Sequence, residues 1–81
     1  MALRVLAFAR LRELLGFGER DVDVVPHATL EELWTSLTAG SPEAARMRAS
    51  TRFARNGVVV DGDTRLADGD EIALLPPVGG G

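Results

Sequence analysis

Residues 29–37 read TLEELWTSL, and this stretch is the clearest helix in the 81-residue chain. Thr29 is a favourable N-cap, and Glu32 three residues later completes a capping box. The apolar residues follow at the i, i+3, i+4 and i+7 spacing of one helix face: Leu30, Leu33, Trp34 and Leu37. We therefore predict one main amphipathic helix that ends at Gly40 and packs its apolar stripe, including Trp34, against a sheet.

Two strands are predicted before this helix. Residues 3–9 are apolar on both faces, as expected for a central strand, whereas residues 20–25 alternate valine with aspartate, as expected near a sheet edge. Between them, leucines at helical spacing precede Gly16, which is a favourable helix stop. We predict one short turn of helix at most in this connection.

The second half of the chain is rich in turn signals. Ser41 and Pro42 are predicted to begin a short second helix that continues to about Arg48. Asn56-Gly57 predicts a hairpin joining residues 53–56 and 58–60. Two Asp-Gly-Asp segments, at 61–63 and 68–70, precede a last strand at 71–75, and we interpret them as turns rather than as a calcium loop, which needs further ligands.

This order of elements predicts the α+β class. If strand 2 forms a hairpin with strand 1, the last strand can lie beside strand 1 in the centre of a small mixed sheet covered by the main helix. That is the β-grasp, or ubiquitin-like, arrangement. We predict a β-grasp domain over residues 1–75 and an extended, flexible C-terminal Gly-Gly tail over residues 76–81.

The composition limits the chemistry of the side chains. The chain has no cysteine and one histidine, and all nine basic residues are arginines, so disulfides, thiolate metal sites, a cysteine nucleophile and a side-chain Schiff base are excluded. A net charge of −3 with scattered arginines argues against nucleic-acid binding. The apolar runs are too short for a membrane span, and we expect a cytoplasmic protein without a bound metal. We interpret His27 as an exposed loop residue.

One basic cluster is present in the sequence. It is either a solvated face or a docking patch, and it contains Arg46, Arg48, Arg52 and Arg55.

The chain ends in Pro76-Pro77-Val78-Gly79-Gly80-Gly81. The prolines remove two backbone donors, so a sheet cannot continue through them, and glycines without Cβ atoms can enter a narrow channel. Extended, this segment reaches roughly 20 Å. Either it is a frayed end without a role, or it carries the α-carboxylate of Gly81 into the active site of a partner.

Several segments together resemble the molybdopterin synthase small subunit, within the MoaD/ThiS group of ubiquitin-like sulfur carriers. The matching segments are FARLREL at 8–14, TLEEL at 29–33, NG at 56–57, LADGDE at 66–71, PPV at 76–78 and GG at 80–81. Gly79 departs from the pattern, because the family usually has a small residue with a side chain there. This departure should loosen the tail slightly without blocking it.

The resemblance implies a sulfur-carrying C-terminus. An E1-like enzyme would use ATP to adenylate Gly81, and a sulfur donor such as a cysteine desulfurase or a rhodanese would convert it to a thiocarboxylate. Gly80 and Gly79 would permit entry into the large subunit of molybdopterin synthase, while Pro76, Pro77 and Val78 would set the exit direction. The partner would supply the catalytic residues, and no cofactor would stay bound to this chain.

Strand alternation also suggests a docking surface. We predict that Phe8 and Leu75 lie on or near the sheet face left open by the helix, where they would contact partners; the alternative is that both are ordinary core residues. Other functions remain open at this point. The sulfur can go to cysteine, thiamine or tRNA instead, the chain can be a protein modifier joined to lysines of targets, or it can be an interaction module with an inert tail.

Overall fold

The computed structural model describes residues 1–77, and their fold is built on a five-stranded mixed sheet. The strands are β1 (Ala2–Ala7), β2 (Glu19–Asp23), β3 (Arg52–Arg55), β4 (Val58–Val60) and β5 (Glu71–Leu75). Their order is β2-β1-β5-β3-β4; β1 and β5 are parallel, and the other pairs are antiparallel. The predicted β-grasp arrangement is confirmed, with the last strand beside the first and β2 at an edge.

The main helix, α2 (Leu30–Leu37), covers one face of the sheet as predicted. Both halves of the capping box form: the Thr29 hydroxyl accepts from the Glu32 N–H at 3.2 Å, and the Glu32 carboxylate accepts from the Thr29 N–H at 2.9 Å. Trp34 is buried in the core as predicted, with its ring centroid 5.9 Å from that of Phe53. These contacts fix the helix on the sheet through a local cap and a distant apolar contact.

The predicted stop of α2 at Gly40 is wrong. The helix ends at Leu37, with Thr38 as its C-cap. The Thr38 N–H and hydroxyl both donate to the Trp34 carbonyl, at 3.0 and 2.9 Å, and Thr38 is buried. The buried Thr38 side chain therefore binds one of the last four carbonyls of the helix, and the helix ends before the glycine is reached.

The connection after β1 is more helical than predicted. It contains α1 (Ala9–Leu15), seven residues long instead of one short turn. Leu11 is completely buried, and Leu14 and Leu15 pack against the core, so tertiary burial stabilises a helix too short to be stable alone. Gly16 ends the helix as predicted: its φ is 81°, and its N–H donates to the backbone carbonyl of Arg12 at 3.0 Å.

The second short helix is α3 (Pro42–Ala45), which ends before the predicted Arg48. The Ser41 hydroxyl accepts from the Ala44 N–H at 3.2 Å, so the predicted N-cap is confirmed. A separate 3₁₀ turn at Arg48–Ser50 then leads into β3.

Asp70 joins the β3–β4 hairpin to the start of β5. The predicted hairpin turn has left-handed φ values of 50° at Asn56 and 86° at Gly57. The Asn56 amide donates to the Asp70 carboxylate at 3.0 Å, and the Ala67 N–H donates to its other oxygen at 2.8 Å. The Glu71 N–H in turn donates to the Asn56 side chain at 2.9 Å. Both Asp-Gly-Asp segments form turns, as predicted, and Asp70 holds the second one against the hairpin.

Within residues 1–77, no helix combines the length and apolar character needed to cross a membrane.

Replacing Asp70 by alanine should lower the free energy of unfolding by about 1–3 kcal/mol, because it leaves the Asn56 amide and the Ala67 N–H without their acceptor in a largely buried site. Urea unfolding measures this change. The matched control is Asp63→Ala, since Asp63 is exposed and its side chain has no hydrogen bond or ion pair within residues 1–77. Equal free energies of unfolding of the two variants would show that the Asp70 hydrogen bonds do not stabilise the fold.

The capping box predicts a pH dependence. Hydrogen bonds from the Thr29 backbone and hydroxyl lower the pKa of Glu32 in the folded chain. This stabilisation is complete above the unfolded pKa of about 4.3 and is lost as the pH falls through the lower folded value. Glu32→Gln keeps an acceptor but carries no charge. We expect the wild type to be more stable than this variant at neutral pH, and the difference in the free energy of unfolding, measured with urea, to disappear in acid. A difference that does not change with pH would show that the Glu32 charge does not stabilise the capping box.

Candidate functional site

The base of the C-terminal tail is held in the middle of the sheet. Strand β5 pairs with β1 on one side and β3 on the other, and its last residue, Leu75, pairs with Arg52. Pro76 is half-buried and Pro77 is exposed. Because prolines have no N–H to donate, the ladder stops here and the chain leaves the sheet from its central strand. A shallow groove beside this point is lined by Ser50, Arg52, Leu75, Pro76 and Pro77.

The remaining predicted tail residues lie outside the described part of the chain. These are Val78, Gly79, Gly80 and Gly81. The structure therefore gives the position of Pro76 and Pro77 only, and the roles of the tail residues stay predictions.

The sheet face opposite α2 carries an apolar row. The strand register aligns Leu6 of β1 with Ala73 of β5, then with Ala54 of β3 and Val59 of β4. Alternate residues of the same strands, such as Val5 and Ile72, face α2 and are fully buried. We call this side the open face and define it by Leu6, Phe8, Ala54, Val59, Ala73 and Leu75.

Phe8 and Leu75 lie where the sequence placed them. Ala7 pairs with Leu74, so Phe8 follows β1 beside Leu75 at the tail end of the open face. The Phe8 backbone is extended, and the side chain is 45% exposed; Leu75 is half-buried. Ala9 then has φ of 49°, which turns the chain into α1. The docking role of the two residues stays a prediction.

The charges on the open face differ between its two ends. Far from the tail, Arg4 is paired with Glu19 at 3.2 Å and with Asp21 at 3.6 Å. Beside the tail, Arg52 is exposed, and its side chain makes no hydrogen bond or ion pair with any of residues 1–77. The tail end of the face therefore presents a cation that this part of the chain does not neutralise.

The predicted basic cluster does not stay together. Arg48 donates to both carboxylate oxygens of Glu31, at 2.6 and 2.7 Å, and stacks over the Phe53 ring at 4.3 Å. The Arg48 hydrogen bonds lower the pKa of the Glu31 carboxyl and raise the pKa of Arg48 itself. Arg55 donates to the Arg65 carbonyl at 3.0 Å. Arg48 and Arg55 thus serve the fold, while Arg46 is exposed at the end of α3.

Across residues 1–77, histidine, aspartate and glutamate side chains form no group of three or more that could hold a metal ion. His27 is exposed in the turn before α2, where the sequence predicted it.

The sequence prediction missed Ala54 and Val59 of the apolar row. Only strand pairing reveals that Leu6, Ala54, Val59 and Ala73 are neighbours, because they come from four separate strands. Alternation in β1 and β5 was the available signal. Because β4 consists of three consecutive valines, its sequence has no polar–apolar alternation that would indicate which side chain lies on the open face.

The chain is similar over its full length to molybdopterin synthase sulfur carrier subunits. It is 34% identical to that of Chlamydomonas reinhardtii, with 100% of both chains covered. It is 37% identical to that of Escherichia coli K12, covering 98% of this chain and 99% of the relative.

Solved structures give the same fold. The crystal structure of SAMP1 (small archaeal modifier protein 1) from Haloferax volcanii matches with a TM-score of 0.82 and 31% identity, covering 100% of both chains. A complex of subunits 1 and 2 of molybdopterin-converting factor from Helicobacter pylori contains a chain that matches with a TM-score of 0.68 and 27% identity, again covering 100% of both chains.

The resemblance inferred from the sequence is confirmed. The sequence model of the ThiS family matches residues 5–81, and the chain therefore belongs to the ThiS family.

Proposed function

We propose that this chain is the sulfur carrier subunit of a molybdopterin synthase and acts in molybdenum cofactor biosynthesis. The observation that carries the proposal is the full-length likeness to relatives of that name. The fold supports it, because the central strand β5 leads directly into the C-terminal tail and gives that tail a rigid base.

The chemistry takes place at the α-carboxylate of Gly81. With a reference pKa near 3.5 this group is ionised at neutral pH and is a poor acyl donor. An E1-like enzyme transfers AMP from ATP to the carboxylate and releases pyrophosphate. The terminal sulfur of a persulfide on the donor, a cysteine desulfurase or a rhodanese, then forms a C–S bond as the C–O bond to AMP breaks, and a thiol reduces the resulting S–S bond to release the donor. The product is a thiocarboxylate, and ATP is used without staying bound.

The sulfur reaches its acceptor by insertion of the tail into the large subunit. Pro76, Pro77 and Val78 direct the segment away from the sheet, and Gly79 and Gly80 pass through a channel too narrow for side chains. The large subunit supplies the catalytic residues and converts the cyclic pyranopterin monophosphate to the dithiolene of molybdopterin. The chain itself is a non-catalytic, sulfur-carrying subunit. We place it in the cytoplasm, where ATP for the activation step is available.

The open face supplies the docking surface for this delivery. Phe8 and Leu75 lie at its tail end, so an interface formed there also aligns the tail with the entrance of the partner site. The neighbour from Helicobacter pylori is a complex of the two subunits of molybdopterin-converting factor, which supports a two-subunit assembly.

Incubation with ATP, an E1-like enzyme and hydrosulfide should replace one oxygen of the chain by sulfur, with the change confined to the C-terminal fragment. Intact and fragment mass spectrometry measures it. Fragmentation is necessary because oxidation of Met1 or Met47 gives nearly the same nominal mass.

The control for this experiment is the chain without Gly80 and Gly81, which should stay unmodified. If the activating enzyme binds the full chain but Gly81 remains a carboxylate, the carrier function is contradicted and an interaction module with an inert tail is favoured.

Phe8→Ala and Leu75→Ala should each weaken binding to the large subunit by about 10-fold, because each removes apolar contact beside the inserted tail. Calorimetry or surface binding measures the dissociation constant. Val25→Ala is the matched control, since Val25 is 69% exposed but lies outside the open face. Equal affinities of all three variants for the large subunit would show that Phe8 and Leu75 do not contact it.

A second candidate function is protein modification, which the likeness to SAMP1 favours. Gly81 would then be joined to lysine amines of target proteins. Covalent adducts that depend on the E1-like enzyme would support this alternative. Accumulation of the molybdopterin precursor in a deletion strain would support the synthase function instead, over both modification and delivery of sulfur to cysteine, thiamine or tRNA.

A further inference from the structure

We infer that Arg52 is a specificity-determining residue of the open face, and that the partner protein docked there places a carboxylate against its guanidinium. The inference rests on the proposed function, because the partner in question is the large subunit that receives the tail. It goes beyond apolar docking by stating which charge the partner must carry and where.

The position of Arg52 is the first argument. Arg52 pairs with Leu75 across β3 and β5, so its side chain lies on the open face beside the last residue before the tail. It lines the same groove as Pro76 and Pro77. A partner that covers Phe8 and Leu75 and accepts the tail therefore also covers Arg52.

The charge balance is the second argument. The neighbouring strand offers Asp61, one residue beyond the Phe53–Val60 pair, yet no Arg52–Asp61 ion pair forms. At the far end of the face, Arg4 has both Glu19 and Asp21. Of the two open-face arginines, Arg4 and Arg52, only Arg52 has no carboxylate partner within residues 1–77.

The cost of covering an unpaired cation is the third argument. The apolar stem of arginine can pack beside Leu75 and Phe8, but the guanidinium loses its water when a partner covers the groove. An unpaired buried charge opposes binding, whereas a carboxylate can accept two parallel hydrogen bonds from the guanidinium. An apolar partner surface without such a carboxylate is rejected. Arg52 therefore selects among partners that share a similar apolar patch.

The test compares two charge reversals that change the net charge equally. Arg52→Glu should weaken binding to the large subunit at least about 10-fold more than Arg46→Glu, which reverses an exposed arginine at the end of α3, outside the strands of the open face. The association rate of the wild type should fall with added salt, and that of Arg52→Glu should rise. Arg52→Gln should have an intermediate affinity. Because Arg52 is exposed, thermal unfolding should be the same in all variants.

Several outcomes would overturn the inference. Equal affinities of Arg52→Glu and Arg46→Glu would show that no carboxylate faces Arg52. Loss of the Arg52→Glu effect when the Gly81 carboxylate is converted to an amide would assign Arg52 to the chain's own terminal carboxylate. A change in self-association alone, measured by sedimentation, would assign it to a second copy. If the wild type itself fails to bind the large subunit, the proposed function fails, and the inference fails with it.

Discussion

Strand β5 is paired on both sides, and this central pairing determines where the chain leaves the sheet. Its parallel ladder with β1 brings the end of the chain beside its beginning, and its antiparallel ladder with β3 supports the other edge. Ile72 and Leu74 face α2 and are fully buried, so the strand is held by backbone hydrogen bonds and by the core. A tail attached to such a strand starts from a fixed point, which lowers the entropic cost of presenting it to a partner.

Both ends of β5 are defined by side-chain chemistry. At its start, the hydrogen bonds of Asp70 and Asn56 connect the strand to the hairpin, and at its end Pro76 removes the next ladder donor. The arginines divide between two uses. Arg48 forms an ion pair with Glu31, whereas Arg52 is exposed on the open face beside the tail. The sheet thus provides a fixed base for the tail and, in the proposed docking, the surface that orients it.

Features set by local sequence could be predicted, and features set by distant contacts could not. The capping box of α2 and the hairpin turn depend on a few adjacent residues, so their patterns were sufficient. The length of α1 depends on the burial of Leu11, and α2 ends before Gly40 because Thr38 is buried. Arg48 leaves the basic cluster because it pairs with a glutamate 17 residues away in the sequence. The chemistry proposed for the tail came from the family resemblance, and the place of Ala54 and Val59 in the apolar row required the strand register.

The most direct test of the account follows isotope-labelled sulfur from the C-terminal thiocarboxylate of this chain. The loaded chain is mixed with the large subunit and the pyranopterin precursor, without any other sulfur source. We expect the label to appear in the dithiolene product, with two Gly81 termini returning to the carboxylate for each dithiolene formed. Product formed without label, or a labelled chain that stays unchanged while the large subunit is bound, would contradict the account.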